Sequence, residues 1–135
     1  MSANPAILVV EDNEDDLYFI RRTLKAVAPT LPARFVTDGR AALQYLHGSN
    51  AYADRAQNPF PSVVFLDLKL PFVHGLDVLA AIRGEPTLKA LRVFILTSSS
   101  EEKDRSRAQQ LGVHGYLVKP PTPEMLAPIL REFSS

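Results

Sequence analysis

Five short apolar runs recur along the chain: "ILVV" from Ile7, "ARFV" from Ala33, "VVFL" from Val63, "VFIL" from Val93 and "YLV" from Tyr116. Several are unbroken and rich in β-branched or aromatic residues, the pattern of strands covered on both faces. Helical spacings lie between them. Leu17, Ile20, Leu24 and Val27 recur at intervals of three and four, and Ala42, Tyr45 and Leu46 do the same before Gly48, a helix stop. Leu79 and Ile82 mark a third helix, "EEKDRSRAQQL" a mostly solvated fourth, and Leu126, Ile129, Leu130 and Phe133 a fifth. Strand and helix alternating five times predict βαβ units around a parallel sheet, an α/β fold. Pro128 falls inside the fifth helix, where it removes a donor and predicts a bent or weakened helix. "GSNAYADRAQNPFP", Gly48 to Pro61, is a polar connection longer than most in such a fold, readable as a surface insertion or as a binding loop.

A length of 135 residues suits one domain with a single core, spanning 1–135. The 15 basic and 15 acidic residues balance, and no basic run occurs, which argues against nucleic acid or a membrane surface as the main partner. No apolar stretch approaches the roughly 20 residues needed to cross a bilayer, and the N-terminus lacks a signal pattern. The absence of cysteine excludes disulfides, thiolate chemistry and Cys-type zinc sites. A cytoplasmic protein is the expectation.

In an open parallel sheet, ligands bind beyond the carboxyl ends of the strands. The residues that close the apolar runs are Glu11 and Asp12, then Asp67, Thr97 and Lys119. Three carboxylates, a hydroxyl and an ammonium are thus expected along one edge. Glu11 to Asp16 holds five of the 15 acidic residues in six positions. Asn13 capping a helix, with Glu14, Asp15 and Asp16 in its first turn, accounts for three of them. It does not account for Glu11 and Asp12, nor for Asp67 at an apolar strand end, where charge is costly unless paired. Crowded carboxylates raise one another's pKa unless a cation sits among them.

Hard oxygen ligands suit Mg2+, which keeps several waters and takes one or two carboxylates plus a phosphate. A calcium loop of the EF-hand type needs glycine at its sixth position, and neither Asp16 nor Leu17 supplies it. A flavin mononucleotide phosphate would be repelled by the acidic loop. A haloacid-dehalogenase-type phosphatase would place a second Asp where Lys69 stands. His47, His74 and His114 show no metal-ligand spacing.

Together "ILVVEDN", "VVFLDLKLP", "VFILTSSS" and "GYLVKPP" resemble the receiver domains of two-component response regulators, over nearly the whole chain. The resemblance implies a flavodoxin-like, doubly wound (βα)5 fold with strand order 2-1-3-4-5. It makes Asp67 the acceptor of a phosphoryl group from a sensor histidine kinase. It implies Mg2+, with Mn2+ as a substitute, held by Asp12 directly, by Glu11 directly or through water, by Asp67 and by the backbone carbonyl of Lys69. Lys119 would pair with Asp67 before transfer and with the phosphoryl group after it. Thr97 would donate its hydroxyl to that group, small Ser98 would leave room for the donor, and Tyr116 would be the aromatic that changes rotamer as Thr97 moves. Lys119–Pro120 would be a cis bond.

Phosphorylation would then change the partners of the face made by the fourth helix, fifth strand and fifth helix, through a homodimer or an unidentified downstream protein. The protein reads as a switch rather than an enzyme. "LPFVHG" carries Val73-His74 where many receivers have a Met-Asp type pair, which touches the shape of this loop and not the chemistry. The sequence ends at Ser135 after the fifth helix, so no output domain is expected. The long Gly48–Pro61 loop resembles the single-domain regulators served by bacterial and cyanobacterial phytochrome kinases. The competing reading is a receiver-like module that binds partners without phosphotransfer, although such modules usually lose one of the acidic pair, the Asp or the Lys.

Overall fold

The computed structural model describes residues 5–133. The apolar runs form five parallel strands, β1 (Ile7–Val10), β2 (Ala33–Val36), β3 (Val63–Leu66), β4 (Arg92–Thr97) and β5 (Gly115–Val118), in the order β2-β1-β3-β4-β5. Between and after them run α1 (Glu14–Val27), α2 (Gly39–His47), α3 (Gly75–Gly84), α4 (Glu102–Gln110) and α5 (Pro123–Leu130). This is the flavodoxin-like arrangement expected from the sequence.

The unbroken apolar runs are explained by the two cores. Leu8, Val10, Val64, Leu66, Val93 and Ile95 point to one face, where α2, α3 and α4 pack with Ala42, Tyr45, Leu79, Ile82 and Ala108. Ile7, Val9, Val63 and Phe65 point to the other, against Ile20 and Leu24 of α1 and Leu126 and Leu130 of α5. Successive strand residues serve opposite faces, so both must be apolar. Val10 pairs with Val36 and Leu66, so β1, β2 and β3 end at one level. Glu11 and Asp67, the next residues along, therefore leave the sheet side by side.

Helix ends follow the local chemistry. The Asn13 side chain accepts the Asp16 N–H at 3.0 Å, and Asp38 and Thr122 cap α2 and α5 in the same way. His74 takes this role for α3, its Nδ1 accepting the Leu76 N–H at 3.1 Å. Gly48 ends α2 with φ 67, in the left-handed region. The helix carrying Pro128 stops two residues later at Leu130, so Phe133, expected on this helix, lies beyond it. Its ring still packs against the α1–α5 side of the core.

The Gly48–Pro61 connection is more tied down than its polar composition suggests. A short 3-10 turn (Asn50–Tyr52) opens it, and Asp54 accepts the Ala56 N–H at 3.0 Å. Arg55 donates to the Leu46 carbonyl at 2.9 Å and to the Asn58 carbonyl at 3.1 Å. Tyr45 Oη donates to the Pro59 carbonyl at 2.8 Å, and Arg34 Nε to the Gln57 carbonyl at 2.9 Å. The loop enters β3 at the amino end of the sheet, where the Ser62 N–H meets the Ala6 carbonyl at 2.8 Å.

Candidate functional site

Glu11, Asp67 and Lys119 come from the ends of β1, β3 and β5, separated by dozens of residues in sequence, and meet at the carboxyl edge of the sheet. Lys119 Nζ lies 2.6 Å from Glu11 Oε1, 3.0 Å from Asp67 Oδ2 and 2.5 Å from Asp16 Oδ2. Glu11 and Asp67 are only 3% and 7% exposed. Burial of two carboxylates this far is tolerated because a cation and backbone donors face them. The second Glu11 oxygen accepts the Asn13 N–H at 3.1 Å, and Asp67 Oδ1 accepts the N–H of Leu68 at 2.7 Å.

Burial pushes the Glu11 carboxyl up to about 7, outweighing the hydrogen bonds from Lys119 and the Asn13 backbone; the charge of nearby Asp67 adds to the rise. For Lys119, burial alone would lower the pKa, but the hydrogen bonds it donates to Asp16, Glu11 and Asp67 overcome it and hold the ammonium well above the usual lysine range.

Asp12 stands apart. Its side chain is exposed and makes no hydrogen bond or ion pair with a described residue. Glu11, Asp12 and Asp67 each offer a carboxylate oxygen, and these atoms lie within 4.8 Å of one another. Among the described residues none donates to the Lys69 carbonyl. Hard oxygen donors with one of them uncommitted are what a divalent cation of the Mg2+ or Mn2+ type requires. The donor set fits such an ion.

Thr97, expected just past β4, is its last residue and is fully buried. Its hydroxyl accepts the Ser99 N–H at 3.3 Å, and its carbonyl accepts the Lys119 N–H at 2.8 Å. That second bond fixes the end of β5 to the end of β4. Tyr116 is half-buried in β5, with the Arg105 guanidinium 4.6 Å from its ring centroid. The Lys119–Pro120 peptide is cis.

Two participants escaped the sequence reading. Asp16 sits in the first turn of α1, where the helix dipole alone would account for it, yet its carboxylate turns to Lys119. Ser99 is buried, and its Oγ donates to Asp104 Oδ2 at 2.8 Å while accepting the Glu101 N–H at 3.3 Å. Neither carries a signal in sequence, since an acid in a helix start and a serine in "TSSS" are common without such roles. The loop with Val73-His74 closes tightly behind Asp67. Gly75 N–H donates to the Leu68 carbonyl at 2.7 Å, and a Cβ on Gly75 would lie 2.1 Å from the Asp67 carbonyl oxygen. Only glycine fits there.

The model of the response regulator receiver domain matches residues 7–131. Response regulator Rcp1 of Synechocystis sp. is 35% identical over 119 residues, 87% of this chain and 79% of Rcp1. The Mn(2+)-bound form of Rcp1 superposes with a TM-score of 0.83 at 31% identity, covering 97% of this chain and 95% of that one. The bacteriophytochrome response regulator AtBRR gives a TM-score of 0.84 at 37% identity, over 97% of this chain and 93% of that one. The phosphorylated cyanobacterial phytochrome response regulator RcpA gives 0.81 at 33%, over 96% and 91%.

Proposed function

The chain belongs to the response regulator receiver domains of two-component signalling, and from that premise we propose that Asp67 accepts a phosphoryl group from a histidine kinase and switches the face around α4, β5 and α5. The observation that carries this reading is the junction of Asp67, Glu11 and Lys119 beside the uncommitted Asp12. A carboxylate oxygen of Asp67 attacks the phosphorus of a phosphohistidine; the O–P bond forms, the N–P bond breaks, and the imidazole leaves with the electron pair. Positioning and charge neutralisation supply most of such catalysis.

Asp12, Asp67 and the Lys69 carbonyl would hold Mg2+ or Mn2+, with Glu11 acting directly or through water, and the ion would neutralise the phosphoryl oxygens. Glu11 holds Lys119 with one oxygen and accepts the Asn13 N–H with the other, so turning toward the ion, directly or through water, loosens its hold on Lys119. Lys119 moves a donor from Asp67 to the transferred group. Thr97 keeps its own hydroxyl proton to donate to it, having only accepted from Ser99. Small Ser98 beside it leaves access. Water then hydrolyses the acyl phosphate and resets the switch.

The bacteriophytochrome response regulator AtBRR and the phytochrome response regulator RcpA support a phytochrome-type kinase as the donor. Output by association, with a second copy or a downstream protein, suits β5, a half-buried edge strand. Among the described residues no helix is long and apolar enough to cross a membrane.

Intact mass after incubation with Mg2+ and acetyl phosphate tests this. One added phosphoryl group, absent with a chelator and in Asp67→Asn, is the expected result. No addition from acetyl phosphate or from a phosphohistidine donor, despite bound metal, would leave a receiver fold used for binding alone.

A further inference from the structure

Of the three acids that hold Lys119, Asp16 is the one that phosphotransfer leaves without a task. An ammonium has three N–H bonds, and Lys119 has three carboxylate partners at 2.5 to 3.0 Å: Asp16, Glu11 and Asp67. In the reaction proposed above, two of these partners change their bonding. Glu11 turns toward the cation, and Asp67 gains a bond to phosphorus. Asp16 does neither. Its backbone is pinned in the first turn of α1 by the bond from its N–H to the Asn13 side chain. Its side chain is 33% exposed and that of Lys119 10%, so the pair is partly withdrawn from water, where a charged hydrogen bond is stronger than at the surface.

A helix-dipole role would not demand this contact. Asp15, in the same turn, is exposed and pairs with no cation among the described residues.

We propose that Asp16 is a positioning residue for phosphoryl transfer: it anchors the Lys119 ammonium while Glu11 and Asp67 release it, leaving two N–H donors for the phosphoryl oxygens. The inference rests on the reading of Asp67 as acceptor. Loss of the anchor lets the lysine swing along its four-carbon stem and dilutes its presence at the reacting atoms.

The experiment follows the rate of phosphoryl addition by intact mass, with acetyl phosphate and Mg2+. It compares wild type, Asp16→Asn, Asp15→Asn, Lys119→Gln and the Asp16→Asn/Lys119→Gln double variant, with Asp16→Ser in reserve should the Asn variant fail to fold. Asp16→Asn is expected to slow addition about tenfold and Asp15→Asn to leave it unchanged. In the Lys119→Gln background Asp16→Asn should add no further slowing, because residues acting as a unit are not additive. A second readout needs no metal and no phosphate: amine-reactive labelling of Lys119 should rise several-fold in Asp16→Asn, as its ammonium loses a partner.

Wild-type rate in Asp16→Asn, equal slowing in both backgrounds, or unchanged labelling would each overturn the anchor role. Failure of the underlying reading looks different: wild type takes up no phosphoryl group from either kind of donor, or Asp67→Asn takes it up as well. Either of those removes the anchor along with the acceptor.

Discussion

The Tyr116 hydroxyl donates to the Ser99 carbonyl at 2.9 Å, tying the aromatic of β5 to the loop that follows Thr97. Ser99 in turn donates its N–H to Thr97 and its hydroxyl to Asp104, so one residue connects the end of β4, the start of α4 and β5. On the proposed reading, a movement of Thr97 toward a phosphoryl group would pull on all three, and this network would be the element that a charge at Asp67 biases.

Tyr116→Phe removes that hydrogen bond and keeps the ring under Arg105. The expected cost is about 1 kcal/mol in denaturant unfolding. Amide exchange at Ser99, Ser100 and Glu101 should accelerate, while exchange in β1 and β3 stays as it was.

The raised Glu11 carboxyl sets a pH window. In the fold it holds its proton up to about 7, whereas its ordinary value is 4.5. Between these values the folded state binds more protons than the unfolded chain, so this group's contribution to stability falls as pH rises. The metal-free wild type should therefore lose stability relative to Glu11→Gln across that window. Mg2+ needs the deprotonated form, so its affinity should strengthen from about pH 6 to pH 8. Calorimetric titration at both ends measures this, and a slope unchanged in Glu11→Gln would assign it elsewhere.

Gly75→Ala puts a methyl group 2.1 Å from the Asp67 carbonyl oxygen and 2.6 Å from Leu68 Cα, both backbone atoms that cannot step aside. A loss of about 3 kcal/mol or more is expected from thermal unfolding. Phosphoryl uptake should fall as well in any folded fraction, since the backbone at Asp67 must shift.

Arg55→Ala frees the Gly48–Pro61 connection from the Leu46 and Asn58 carbonyls. Limited proteolysis should cut the loop faster, and unfolding should show a loss of about 1–2 kcal/mol. The rate of phosphorylation from acetyl phosphate should not change.

The fold was legible because strands buried on both faces cannot hide: Leu8 and Ile7 serve different cores, so the run has to be apolar throughout. The site was legible because parallel strands deliver their next residues to one edge, and Glu11, Asp12, Asp67, Thr97 and Lys119 are those residues or the last of their strand. Asp16 was not, since its partner is 103 residues away and an acid in a first turn has a sufficient local explanation. The anchoring of the long loop was equally hidden. Its donors, Arg34, Tyr45 and Arg55, bond to carbonyl groups, which every residue possesses and no sequence distinguishes.

The entry of that loop at the amino end of β3 has a practical consequence. Four residues of strand, Val63 to Leu66, separate it from Asp67, a distance of roughly 13 Å at the rise of a parallel strand. The span exceeds the distance of about 8 Å over which exposed charges are screened at physiological salt. The molecule thus has two rims, well separated through solvent. A fluorophore, an affinity handle or a charged insert carried on residues 50–57 can report on the protein, or give it a new attachment, while the opposite rim keeps its own electrostatics.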